Sequence, residues 1–188
     1  DLWQACGEQN RLPGTDELAA LLALTGADRP QIGSSADGTQ TAVSRPAGMQ
    51  IDPGGIGKGA AVSMLIEELE GSGVTGGLVS FGSSVAVFGT KPDGTPFRVA
   101  LRDPQDAAGT VGELNLPAGS VLSVSGDYER YVTIGGQRYH HILDPETGMP
   151  AESGLSSVAV VCSDGALADA LSTALFVMGA EASMQFYE

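Results

Sequence analysis

Positive charge is scarce in this sequence. Nine lysines and arginines face 23 aspartates and glutamates, for a net charge of −14. The cations never form a run of three, so the basic stripe that a nucleic acid or an anionic membrane surface demands is missing. Cysteine is almost absent. Cys6 and Cys162 lie far apart without a CxxC partner, which excludes a zinc site or a disulfide framework and leaves at most one disulfide between the two. No stretch reaches the ~18 to 20 uninterrupted apolar residues of a membrane-crossing helix. The opening DLWQACGEQN has neither the basic start nor the apolar run of a signal peptide. The chain starts without Met and ends at MQFYE inside an expected helix, so it reads as an excised piece truncated at both ends, with any export signal lost.

What is present describes a loop-rich globular domain. Hydrophobic residues are 42% and charged ones 17%, enough for a core of ordinary size, and 27 glycines with 10 prolines imply many tight turns. Residues 15–26 predict a helix, with Thr15 as N-cap and Gly26 as stop. Residues 30–52 predict two short strands around Pro46-Ala47-Gly48, the second running into DPGGIGKG. Helical spacing through Ala61, Met64, Leu65 and Leu69 predicts a helix over 58–70. A train of short apolar runs follows, from GLVSF at 77 to QRYHHIL at 137, split by Gly, Asp and Pro turns. Asp37-Gly38-Thr39 and Asp93-Gly94-Thr95 read as hairpin turns. A last strand, SSVAVVC, leads through Ser163-Asp164 into a helix that stops at Gly179. The fold class is therefore α+β: a single domain over 1–188 in which three main helices pack on a mostly antiparallel sheet.

Three constellations invite chemistry. GGIGKG at 54–59 offers glycine amides and Lys58 to an anion. It fails the Walker pattern, with Asp52 and Gly59 where Gly and Ser/Thr belong, and it fails GxGxxG. A phosphate site and a plain structural turn both stay open. On the last helix, at about 100° per residue, Asp169 and Thr173 share one face with Phe176 beside them. Two oxygen donors at this spacing suit a hard cation such as Mg²⁺, but Thr173 bonded back to the Asp169 carbonyl at a helix rim explains them equally. The only histidines, His140 and His141, are adjacent, so in a strand they point to opposite faces and do not pair on a metal. One of them near a phosphate could bind it or move a proton.

In order and spacing these pieces resemble the ApbE-type FAD:protein FMN transferases. The resemblance runs from about Leu2 to the end and rests on IDPGGIGKGAA, LVSFGSSV, GTKPDGTPFRVALRDP, SVSGDYERY, YHHILDPETGMP and ADALSTALFVMG. It implies an ApbE-like, T-fold-like two-layer domain. The implied enzyme binds FAD as substrate, uses Mg²⁺, and moves FMN to a Thr or Ser hydroxyl in a flavinylation motif of a bacterial redox-complex subunit, releasing AMP. The metal would be held by Asp169, Thr173 and the Gly55 carbonyl. Gly54, Gly55, Lys58, Ser125, Gly126, Asp127 and His141 would contact the nucleotide, with His141 and Asp169 catalytic. The family also implies an extracytoplasmic protein, periplasmic or held at the cell surface by a lipid anchor that lies outside this chain. Three departures stand out: Ser80, Ser83 and Ser84 replace a common Asn, Gly and Asp; Ala60 replaces a common Tyr; and the family's N-terminal region precedes Asp1. Hydrolysis of FAD to FMN and AMP, or flavin binding without catalysis, are the alternatives.

Overall fold

The structure, a computed structural model, describes residues 2–187. Along the chain come helices α1 (Leu2–Glu8) and α2 (Thr15–Leu22), strands β1 (Gln31–Ser34) and β2 (Thr41–Ser44), and helix α3 (Gly57–Gly71). Strands β3 (Gly76–Phe81), β4 (Ser84–Gly89), β5 (Phe97–Arg102), β6 (Thr110–Leu116), β7 (Ser120–Gly126), β8 (Tyr131–Ile134), β9 (Gln137–His140) and β10 (Ser157–Cys162) follow, and α4 (Gly165–Tyr187) is last. Among the described residues every strand pairing is antiparallel, and the short connections of β1–β2, β3–β4, β5–β6 and β8–β9 require it of those hairpins. The α+β class expected from the sequence is the class observed. The contacts divide the chain into two compact units, one containing the segments up to Asp52 and Arg130–Ala151, the other Pro53–Glu129 and the chain from Glu152 onward.

In the first unit, Trp3, Cys6 and Ile134 form a small core with Val132, Tyr139 and Met149 packed against it. The Trp3 ring stacks on Tyr139 with centroids 5.3 Å apart, and its indole N–H donates to the Gly148 carbonyl at 2.9 Å. Helix α1 was not expected: at seven residues it is too short to display a period, and the packing of Trp3 and Cys6, three apart, makes it. Both cysteines are free thiols.

Three local expectations need correction. The N-cap of α2 is Gly14, not Thr15, because Glu17 reaches back to the Gly14 N–H at 2.8 Å, and the helix ends at Leu22, before Gly26. Strands β1 and β2 flank Asp37-Gly38-Thr39, not Pro46-Ala47-Gly48, and residues 49–53 form no strand. The turn at Asp93-Gly94-Thr95 is not a hairpin turn, since β4 and β5 lie in different sheets.

The second unit is layered. Its four-stranded sheet runs β10-β7-β4-β3. On one face Val62 of α3 packs with Ala86 and Val121, and on the other the β5–β6 hairpin brings Leu116 onto Val87 and Leu122. Covered on both faces, β4 and β7 read as near-continuous apolar and small residues. Helix α4 packs on β7, β10 and α3. By length and composition it could cross a bilayer, with a mean hydropathy of 1.2, yet Ala168, Ser172 and Phe176 are buried in the unit. The backbone leaves helical geometry at Gly179, where φ is +80°, so the expected stop is a break after which helix resumes.

Candidate functional site

The site begins where α3 crosses α4. A Cβ on Gly59 would overlap the Gly165 carbonyl, and one on Gly165 would overlap the Gly59 carbonyl, so only glycine at both positions admits this approach. Two side chains stitch the start of α4: the Ser63 hydroxyl accepts the Gly165 N–H at 3.1 Å, and the Asp164 carboxylate accepts the Leu167 N–H at 3.0 Å, capping the helix.

One turn further, Asp169 points into the crossing and is 1% exposed. Its Oδ2 accepts the Gly59 N–H at 3.0 Å and its Oδ1 lies 3.6 Å from Lys58 Nζ. A buried carboxylate needs such partners. The half-buried Thr173 hydroxyl lies 3.3 Å from the Asp169 carbonyl and 3.0 Å from Ser125 Oγ on β7. The back-bond expected from the sequence is thus present, but Asp169 is not at a rim. Ser172, fully buried, donates to the Asp169 carbonyl at 2.9 Å and meets Ser125 Oγ at 2.8 Å. The inward face of α4 carries Asp169 and Ser172 beside Ala168 and Phe176, while Leu167 and Met178 stand 47% and 42% exposed on the outside.

The structure therefore brings Lys58, Asp169, Thr173 and Ser125 together. Gly54 and Gly55 form the turn that opens α3, and a Cβ at Gly55 or Gly57 would meet nothing within 4 Å, so the backbone there is open to approach. Gly126 ends β7, and the Asp127 N–H donates to the Ser156 carbonyl at 3.2 Å. His141 belongs to the first unit. It lies just past β9, and its Nδ1 donates to the Arg130 carbonyl at 3.1 Å. Sequence reasoning missed Ser172, Ser63 and the Gly59–Gly165 contact. The signals were there, as a serine three residues after Asp169 and a glycine directly after Lys58.

Among the described residues no three His, Cys, Asp or Glu side chains cluster as a metal centre. The donors at α4 are of a different kind: one buried carboxylate and a threonine hydroxyl, on the helix that crosses the start of α3. Oxygen-only sets with few carboxylates suit Mg²⁺, which keeps waters and substrate oxygens as its other ligands. Lys58, 39% exposed on a flexible stem and 3.6 Å away, is a loose partner that can yield. The residues fit such an ion. On the opposite face of the sheet, beneath β5 and β6, a groove of about 410 Å³ runs between Val85, Leu122, Val124, Arg102 and Tyr128. It is mostly apolar and lies away from Asp169.

Fold and site together define an antiparallel α+β protein whose glycine-opened helix meets an Asp/Thr-bearing helix at an oxygen-rich junction. A family model described as the ApbE family matches residues 1–188, and the chain belongs to that family. The FAD:protein FMN transferase of Rhodobacter capsulatus is 42% identical over 144 residues, covering 77% of this chain and 27% of that protein. The one of Vibrio cholerae serotype O1 is 33% identical over 177 residues, 94% of this chain and 52% of that protein. Among solved structures, the apo flavinyl transferase ApbE of Pseudomonas stutzeri superposes with a TM-score of 0.78 at 34% identity, over 95% of this chain and 53% of that one. The ApbE protein of Thermotoga maritima gives 0.82 at 33% identity, over 99% and 59%. The chain spans about half the length of most of these relatives.

Proposed function

We propose that this chain is part of a Mg²⁺-dependent FAD:protein FMN transferase, which moves FMN from FAD to a Thr or Ser hydroxyl in a flavinylation motif of a redox-complex subunit and releases AMP. The observation that carries the reading is the junction of Lys58, Asp169 and Thr173 at the opening of α3. In the reaction the acceptor oxygen forms a bond to the FMN-side phosphorus, the anhydride bond to AMP breaks, and the hydroxyl proton leaves to a base. Positioning and charge neutralisation dominate such a transfer.

Asp169 and Thr173, with the Gly55 carbonyl, would hold the divalent ion, which when bound neutralises charge on the pyrophosphate oxygens. Gly54 and Gly55 let the backbone approach the phosphates, and Lys58 supplies a mobile positive charge beside them. Ser125, Gly126 and Asp127 would line the nucleotide; for His141, whose ring is held by the Arg130 carbonyl within its own unit, the family resemblance supports a role as phosphate ligand or proton carrier. The placement outside the cytoplasm, periplasmic or lipid-anchored, rests on the resemblance alone.

The test is incubation with FAD, Mg²⁺ and a peptide carrying the acceptor hydroxyl. Covalent flavin on the peptide with stoichiometric AMP is expected, and Asp169→Ala should abolish the Mg²⁺-dependent turnover. Free FMN with AMP would make the chain an FAD hydrolase instead, and tight FAD binding without turnover a flavin-binding module.

A further inference from the structure

We propose that Lys58 is an exchangeable counter-ion for Asp169: it balances the buried carboxylate while no cation is bound and swings out when a divalent ion takes its place. This rests on the reading of Asp169 as a metal ligand. The two oxygens of Asp169 are held in different ways. Oδ2 accepts the Gly59 N–H at 3.0 Å, and Gly59 is pinned because its backbone lies against the Gly165 carbonyl. Oδ1 has, among the described residues, one polar partner, the Lys58 ammonium, at 3.6 Å and so beyond hydrogen-bonding distance. One oxygen is fixed by backbone, and the other faces a charge that is close but not bonded.

A buried carboxylate without a counter-charge is costly, so a cation must stand beside Asp169 whether or not a metal is bound. The Asp169 side chain is 2% exposed and that of Lys58 is 39% exposed. The carboxylate is therefore sealed, while the ammonium reaches water on a flexible four-carbon stem. Of the two partners only Lys58 can move, and an ion arriving from solvent reaches Oδ1 by displacing it. A divalent ion and an ammonium crowded on one carboxylate oxygen would repel each other strongly. Exchange of one for the other keeps Asp169 neutralised throughout and turns the Lys58 charge out toward solvent.

The experiment titrates Mn²⁺ into the FAD-free protein at neutral pH and follows the free ion by electron paramagnetic resonance, which needs no turnover. Lys58→Met keeps an unbranched stem and removes the charge, and should bind Mn²⁺ about 10-fold more tightly than the parent. Lys58→Arg, which keeps the charge, should stay near the parent. A residue that merely shaped the junction would give the opposite sign, weaker binding on its loss. The parent protein supplies a second measurement that needs no variant. Acetylation of Lys58 by an amine-reactive reagent, read by peptide mass spectrometry against Lys91, the chain's other lysine, should rise severalfold at saturating Mn²⁺. Lys58→Met binding no more tightly than the parent, or Lys58 labelling that does not rise, overturns the exchange; should Lys58→Met fail to fold, the labelling alone decides. If neither Asp169→Asn nor Thr173→Val weakens Mn²⁺ binding, the metal reading itself is wrong.

Discussion

The α3–α4 crossing and the β1–β2 hairpin draw on similar small and polar residues and use them in opposite ways. At the crossing, glycine removes side chains so that two backbones touch, and Asp169, Ser172 and Ser63 turn their polar atoms inward onto defined partners. In the hairpin all eight strand residues are exposed, Ile32 at 78%, and Gly33 has nothing within 4 Å of where a Cβ would stand. Order there comes from one exposed carboxylate. Asp37 accepts from Ser35 Oγ at 2.5 Å and from the Thr39 N–H and hydroxyl at 3.1 and 2.8 Å. What a residue does is decided by what surrounds it, and equal chemistry costs very different amounts to change.

The sharpest way to break this contrast is to add the same methyl group to both regions. In Gly59→Ala the new carbon overlaps the Gly165 carbonyl and crowds Asp169, and no flexible side chain is there to yield. We expect a loss of about 3 kcal/mol or more, or no folded protein. Gly33→Ala should stay within about 0.5 kcal/mol of the parent. Urea unfolding of both variants checks this, and equal midpoints would show that the helices do not approach as closely as described.

Truncation of apolar residues gives a smaller version. Val62 is fully buried against Ala86 and Val121, so Val62→Ala should cost about 2 kcal/mol through lost contacts and a residual cavity. Ile32→Ala removes a side chain that already stands in water and should cost about 0.5 kcal/mol or less. A thermal shift for Ile32→Ala as large as for Val62→Ala would mean that the hairpin is covered in solution.

These regions also differ in how far the sequence discloses them. The glycine cluster opening α3, the strand train and the helix broken at Gly179 are legible because Gly and Pro punctuation and apolar period are local signals. Helix α4 shows where such signals stop. Its sequence puts Asp169, Thr173 and Phe176 on one side without saying which side is buried; Asp169, Ser172 and Phe176 are buried, and Leu167 and Met178 face outward. An almost uniformly apolar helix has little moment to aim it, and the Gly59–Gly165 approach fixes its rotation instead. That is a tertiary fact joining residues more than a hundred positions apart. The same holds for Ser125, which sits in an ordinary strand and gains its role only when α4 is laid beside it. The hairpin turn at Asp37-Gly38-Thr39 is legible and is the one that β1 and β2 flank; placing the strands around Pro46-Ala47-Gly48 fails because Pro46 and Gly48 are as strong a turn signal, and only pairing decides between them.

The smallest expected effect is electrostatic and belongs to the exposed side of the contrast. Hydrogen bonds from Ser35 and Thr39 lower the Asp37 carboxyl from its ordinary 3.8 to about 2. A depressed acid pKa stabilises the folded hairpin above the unfolded value, and that contribution fades as pH falls through the folded one. The window therefore lies between about pH 4 and pH 2. Because the group is fully exposed, the effect should be local. NMR titration should show the Asp37 carboxyl carbon moving with an apparent pKa of about 2, and the amides of residues 31–44 shifting with it. Asp37→Asn should remove that titration while the transition measured for Val62 and its neighbours stays in place. Glu17 offers a control at a helix start. Arg11 and the Gly14 N–H lower it to about 2 as well, so Arg11→Ala should return Glu17 toward the ordinary range and leave Asp37 where it was. Asp37 titrating near 3.8 would show that its three hydrogen bonds do not persist in water, and the hairpin would then owe its shape to strand pairing alone.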